Sequence, residues 1–138
     1  MFNIISFHEI VHGIAATPPA YYLWKKTKEL KYFFIVLLTT YLLDADHLVD
    51  YFLYFGAKFN IKDFFLYDYY FKPSALIPLH GWEYMAVMLA LYNYKYKNNY
   101  LLSIIFGYSM HMVIDAINIG SVIHYFLFYR LVNNLVFT

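Results

Sequence analysis

Apolar residues run in blocks of helical length, separated by short polar or proline-bearing stretches, and this pattern divides the chain into five expected helical segments. The first covers residues 2–17 and is expected to end at Pro18-Pro19, because proline offers no amide hydrogen and turns the residue before it away from helix. At that length it is short for a membrane span, and tilted, re-entrant and surface-lying placements stay open. The second covers residues 31–55: an apolar run over 32–43, then Asp44, Asp46, His47 and Asp50, with Gly56 as the stop. Residues 57–77 read as a loop of Tyr, Phe and Lys at the membrane interface, closed by Pro73 and Pro78. The remaining segments are expected over 79–94, 100–118 and 121–136.

Composition turns this pattern into a membrane protein. The 138 residues suit one domain, and 62% hydrophobic content with a mean hydropathy of +0.49 lies outside the soluble norm. No run reaches eighteen residues without a polar interruption, so a soluble helical protein with a very apolar core is the alternative. Seventeen Tyr and fourteen Phe suit the aromatic belts of an interface. A net charge of +1 gives no basic patch to neutralise phosphates, which excludes nucleic acid as a partner, and the absence of Cys excludes disulfides and thiolate zinc sites. The first residues do not read as a signal peptide, since a basic start is missing and His8, Glu9 and His12 interrupt the apolar stretch. The expected fold is therefore all-α: a small polytopic membrane protein, one domain over 1–138, with four to five helices in a compact bundle.

Lysines set an expected orientation. Lys25, Lys26, Lys28 and Lys31 join the first two segments, and Lys95 and Lys97 join the third and fourth. The loop at 57–77 carries Lys58, Lys62 and Lys72, offset by Asp63 and Asp68. The lysine-rich links go inside, so the amino terminus and the long loop face outward. At roughly 1.5 Å per residue, Asp44 to Asp50 then lie about 20 to 28 Å along their helix, and His111 and Asp115 about 17 to 23 Å along theirs. His8 and His12, and likewise His80 and Glu83, lie early in helices that start outside. All four groups reach the outer half of the bilayer.

Carboxylates and imidazoles inside apolar helices are costly, about +2.5 to +3.5 kcal/mol for an Asp at a helix centre, and such placement points to function. His8 with His12, and His111 with Asp115, are spaced to share a helix face, as are His80 and Glu83. Steps of 100° put Asp44, Asp46, His47 and Asp50 on one broad arc. Imidazole and carboxylate are ligands of zinc, iron and manganese. The expected ligands are His8, His12, Asp46, His47, His80, His111 and Asp115, with Glu9, Asp44 and Glu83 as general bases or outer carboxylates. Such a set exceeds what one ion takes, so one or two divalent ions are expected, zinc first. His8-Glu9-Ile10-Val11-His12 also reads H-E-x-x-H, the zinc-protease pattern in which Glu9 would activate water. Bland readings exist for each group: exposed histidines on an interfacial helix, a helix leaving the membrane at Asp44 to Asp50, a cap at His80. His124 and Arg130 are read as bland, with Arg130 reaching lipid phosphate.

At these residues the chain resembles the YdjM-like family of membrane-bound metal-dependent hydrolases. Leu43-Asp44-Ala45-Asp46-His47 is similar to the family's leucine-proline-aspartate-x-aspartate-histidine segment, with Leu42-Leu43 in place of leucine-proline. Gly107-Tyr108-Ser109-Met110-His111-Met112-Val113-Ile114-Asp115 matches its glycine-tyrosine-x-x-histidine-x-x-x-aspartate segment. His80 resembles the second His of the middle segment, and His8 or His12 the early one. The first His of the middle segment and its arginine-glycine are missing, and Glu83 has no counterpart. The spacing of His111 and Asp115 is also similar to that of zinc-dependent phospholipases C, which cleave phosphodiesters.

The resemblance implies a membrane-bound hydrolase that uses metal-activated water, in a bacterial or archaeal cytoplasmic membrane; the depth of the polar groups makes a lipid ester or phosphoester the expected substrate, with lipid also the environment, and the lysine count puts the site on the outer side. A membrane metalloprotease built on His8, Glu9 and His12 is the alternative. A non-catalytic, metal-stabilised scaffold or ion pathway is the third reading.

Overall fold

The computed structural model describes residues 4–66 and 76–133. Residues 2–3 of the first expected segment, 134–136 of the last, and Asp68, Lys72 and Pro73 of the loop lie outside them. Among the described residues every regular element is helical: α1 Ile4–Thr27, α2 Leu30–Leu42, α3 His47–Phe55, α4 Ile61–Leu66, α5 Trp82–Tyr94, α6 Asn99–Ile119 and α7 Leu127–Val132. Two stretches, Leu30–Phe55 and Asn99–Ile119, are long and apolar enough to cross a membrane.

The first expectation to fail is the proline stop. Pro18 and Pro19 lie inside α1, which continues to Thr27. Proline in a helix interior costs about 3 kcal/mol or more, so packing must outweigh the local preference. Ala16, Ala20 and Leu23 are fully buried and join Tyr32 and Val36 of α2 in one core cluster, edged by Leu102, Phe106 and Met110 of α6. At 24 residues α1 is about 36 Å long.

The second segment is continuous in outline but changes pitch where its polar residues begin. A 3-10 turn over Leu43–Asp46 joins α2 to α3, and Gly56 ends α3 with φ of 72°. The interfacial loop contains a helix, α4, beside an aromatic cluster in which buried Tyr51 hydrogen-bonds Asn60. The third segment starts later than expected, at Trp82, so His80 sits in a turn and not on a helix. The fourth agrees to within one residue at each end. The fifth is not one helix: a 3-10 turn Ile123–Tyr125 and extended Phe126 precede α7.

α1, α2 and α6 form the bundle. α2 and α6 touch most closely at Gly107, where an added Cβ would meet Val36 O and would lie 2.8 Å from Thr39 Cβ. Thr40 Oγ1 donates to Val36 O and Gly107 O at this crossing. Polar side chains fill the interior, with His12, Thr40, Ser103, His111 and Arg130 at zero exposure, while Phe34, Leu38, Leu53 and Ile117 are more than half exposed.

Candidate metal centre

Four elements bring their imidazoles and carboxylates to one place: the first turns of α1, the 3-10 turn before α3, the turn preceding α5, and the last third of α6. Asp115 is at the middle. On one side, His8 Nε2 and His12 Nε2 are 2.8 Å apart and lie 3.3 and 3.1 Å from Asp115 Oδ1. On the other, His80 Nε2 and His111 Nε2 are 2.9 Å apart and lie 3.3 and 3.1 Å from Asp115 Oδ2. Asp44 Oδ1 completes that second group, 3.5 Å from His111 Nε2 and 3.8 Å from His80 Nε2, and it is 3.4 Å from His47 Nε2. The rings of His12 and His111 stack with centroids 4.1 Å apart, so the two groups stand side by side.

These separations fit a cation. Zinc bonds of about 2.0–2.1 Å in a tetrahedron put neighbouring ligand atoms about 3.3 Å apart. A neutral imidazole carries one N–H and one lone pair, so each Nε2 pair can share one N–H···N hydrogen bond or turn both lone pairs toward a cation beside the carboxylate oxygen. A cation there would also neutralise the buried carboxylates, for which an unpaired charge is strongly unfavourable. The buried Oδ2 of Asp44 has no hydrogen-bond partner among the described residues and is a further donor. Among the described residues three sets of side chains could hold an ion: His8, His12 and Asp115; His80, His111 and Asp115; and Asp44, His47 and His80.

The surroundings fix which nitrogen faces inward. His80 Nδ1 is 3.0 Å from Asp46 Oδ2, which also accepts the Leu79 amide at 2.7 Å. A proton on Nδ1 donated to Asp46 leaves the Nε2 lone pair for a cation, the usual arrangement behind a metal-bound histidine. Asn118 Nδ2 lies 2.9 Å from His8 Nδ1 and donates to it, so His8 lacks the arrangement that Asp46 gives His80; exchanging the amide oxygen and nitrogen of Asn118 would free His8 Nε2 to ligate.

Asp46 Oδ2 thus stands behind His80, while its Oδ1 is buried without a hydrogen-bond partner among the described residues, as is Asp44 Oδ2. The 3-10 turn, with steps of about 120°, eclipses residues three apart and so aligns Asp44 with His47 while turning Asp46 toward His80. Asp46→Asn, which keeps the shape and removes the charge, is expected to weaken zinc binding about 10-fold to 100-fold without changing helical content, measured by competition with a chelator.

Glu83 stands apart from the expected bases: its oxygens accept the amides of Leu127 and Phe128 at 3.0 and 3.2 Å. It begins α5 and reaches α7, because the helix starts beyond His80. His47 borders the centre through Asp44, and Glu9, half-buried on α1, directly follows His8. Arg130 does not reach outward. It is fully buried, and its guanidinium donates to the carbonyls of Leu76, Ile77 and His80.

The turn that presents His80 is gripped on every side. Asp50 accepts the amides of Leu76 and Ile77 at 2.7 and 3.0 Å, and Tyr108 Oη accepts the Gly81 amide at 3.0 Å and lies 2.8 Å from Leu79 O. Within it Ile77 has φ of 26°, a left-handed conformation that a β-branched residue adopts only under constraint, at about 1–3 kcal/mol. Tyr108, Asp50, Asn118 and Arg130 were missed as supports of the site. The one available signal was the presence of buriable polar groups near the ligands in apolar sequence.

No family model, curated protein or solved structure matches this chain.

Proposed function

We propose that the chain is a membrane-embedded hydrolase with a two-ion centre, zinc being the first choice of metal, acting on an ester or phosphoester of a lipid. The observation that carries this reading is that the two oxygens of Asp115 each face a separate pair of imidazole nitrogens. When bound, ions in such a centre lower the pKa of water to about 7 and polarise a phosphoryl or carbonyl oxygen.

The residues define an entrance. His12, His80 and His111 are sealed from solvent, whereas His8, Asp44 and His47 keep side-chain exposures of 33%, 18% and 13%. Substrate would enter along that edge, beside Glu9, which is placed to take or return a proton. Asp44 lies about 21 Å along the roughly 38 Å of Leu30–Phe55 and Asp115 about 24 Å along the roughly 30 Å of Asn99–Ile119, so the centre sits just past the middle of the first stretch and near the end of the second. On our reading the apolar part of the first stretch ends at Leu43, which puts the centre at its edge, on the side of the ester and phosphate bonds of lipids. The many exposed apolar side chains, Phe34, Leu38, Leu53 and Ile117 among them, support a lipid setting. The YdjM-like resemblance, with His111 and Asp115 as ligands, points to the same chemistry.

The pairing of His8 and His12 with Asp115 gives H-E-x-x-H a third ligand, and so favours a peptide hydrolase as the second reading. Detergent-purified protein is expected to hold two zinc ions by elemental analysis and to cleave phospholipid vesicles. His111→Ala should remove activity with loss of one ion, and Glu9→Gln should slow hydrolysis with both ions kept. Cleavage of peptide and not lipid, abolished by Glu9→Gln, would transfer the assignment to the second reading; absence of bound metal after zinc loading would overturn both.

A further inference from the structure

We propose that Arg130 of α7 is a positioning residue for the His80 half of the metal centre, holding the turn that carries this ligand in the one conformation that aims Nε2 at Asp115. The proposal rests on the two-ion reading above and assigns a job to a part of the chain that the reading leaves idle.

Three observations support it. First, Arg130 is an arginine at zero exposure, and burying a guanidinium is costly unless its donors are satisfied. Its Nη1 donates to Leu76 O and Ile77 O at 2.7 and 3.1 Å, and Nη2 to His80 O at 2.6 Å. One planar group thus joins the carbonyls at both ends of a five-residue turn, a span that the rigid fork of arginine suits better than the single nitrogen of lysine. Second, that turn contains Ile77 in a left-handed conformation, which relaxes unless the surroundings hold it. Third, among the described residues Arg130 is what ties the turn's carbonyls to α7, and α7 is itself held by Glu83, whose carboxylate takes the Leu127 and Phe128 amides. Asp46 and Asp50 fix the amide side of the turn, and Arg130 fixes the carbonyls of Leu76, Ile77 and His80 while Tyr108 takes that of Leu79.

The consequence is selective. His8 and His12 ride on α1, which does not depend on this turn, so loss of Arg130 should disturb one half of the centre and spare the other. The experiment is zinc content and zinc affinity of the full chain in detergent, by elemental analysis and chelator competition, with helical content followed alongside. Arg130→Met is expected to hold one ion where the wild type holds two. Combined with His12→Ala, which removes the other ion, it should hold none. Arg130→Lys should keep both ions, one of them bound about 10-fold more weakly, and it decides the matter if Arg130→Met does not fold.

Two full-affinity ions in folded Arg130→Met, or unchanged affinities in Arg130→Lys when only that variant folds, would overturn the proposal. Equal loss of both ions would overturn it too, by reducing Arg130 to a general support of the bundle. A wild type that binds fewer than two zinc ions would instead overturn the two-ion reading, and the Arg130 proposal with it.

Discussion

Asp115→Ala is expected to strip both ions from the purified protein, whereas His12→Ala or His111→Ala removes one. The asymmetry follows from position: each imidazole pair meets one oxygen of Asp115 and no imidazole meets both. Removing an outer partner of a ligand costs about 10-fold to 100-fold in metal affinity, and removing a ligand shared by two ions should exceed that at both places. Alanine also removes the carboxylate between the two imidazole pairs and leaves only Asp44 beside His80 and His111, so zinc added in excess should fail to restore the wild-type content. Asp115→Asn offers a control of nearly the same shape: its single oxygen can serve one side only. Elemental analysis of the three variants, with circular dichroism to verify helix content, gives the answer directly. Equal metal loss in Asp115→Ala and His12→Ala would mean that the carboxylate is not shared.

The second large effect is expected at Gly107, one turn before His111 on α6. A methyl group there runs into the backbone oxygen of Val36 and reaches within 2.8 Å of Thr39 Cβ and 3.2 Å of Thr40 N. Backbone cannot step aside as a side chain can, so α2 and α6 must separate, and overpacking of this kind costs about 1–3 kcal/mol. Gly13→Ala makes the informative comparison. Its new methyl meets the Tyr41 hydroxyl, the far end of a side chain that can swing away. Thermal unfolding in detergent should therefore show a clear drop for Gly107→Ala and a smaller one for Gly13→Ala. Because Asp44 rides on the end of α2 and His111 and Asp115 on α6, zinc affinity should fall with Gly107→Ala as well. Equal thermal stability of Gly107→Ala and wild type would rule out the close crossing.

Short-range regularity made part of this centre readable from sequence. His8 with His12 and His111 with Asp115 are each one helical turn apart, and a helix of either length aligns them whatever else the chain does. The all-helical architecture and the fourth helix followed from apolar periodicity in the same way. The errors lie where tertiary structure overrules local rules. Proline was expected to end α1, but the packing of Ala16, Ala20 and Leu23 carries the helix through it. The placing of Asp44 beside His47 and of Asp46 behind His80 was not legible, because a 3-10 turn cannot be told from continued α-helix in residues that suit either. Arg130 looked like a surface residue because its partners are main-chain carbonyls fifty or more positions away, which leave no mark on composition or spacing.

A shared carboxylate also bears on how the protein comes to be made. Chains leave the ribosome amino end first, and His8, His12, Asp44 and His80 all precede the residue that unites them. On the two-ion reading neither cation would have its full set of donors until α6 has been synthesised and docked, so a nascent chain would have little grip on metal. Metal uptake would then report that the bundle has finished assembling.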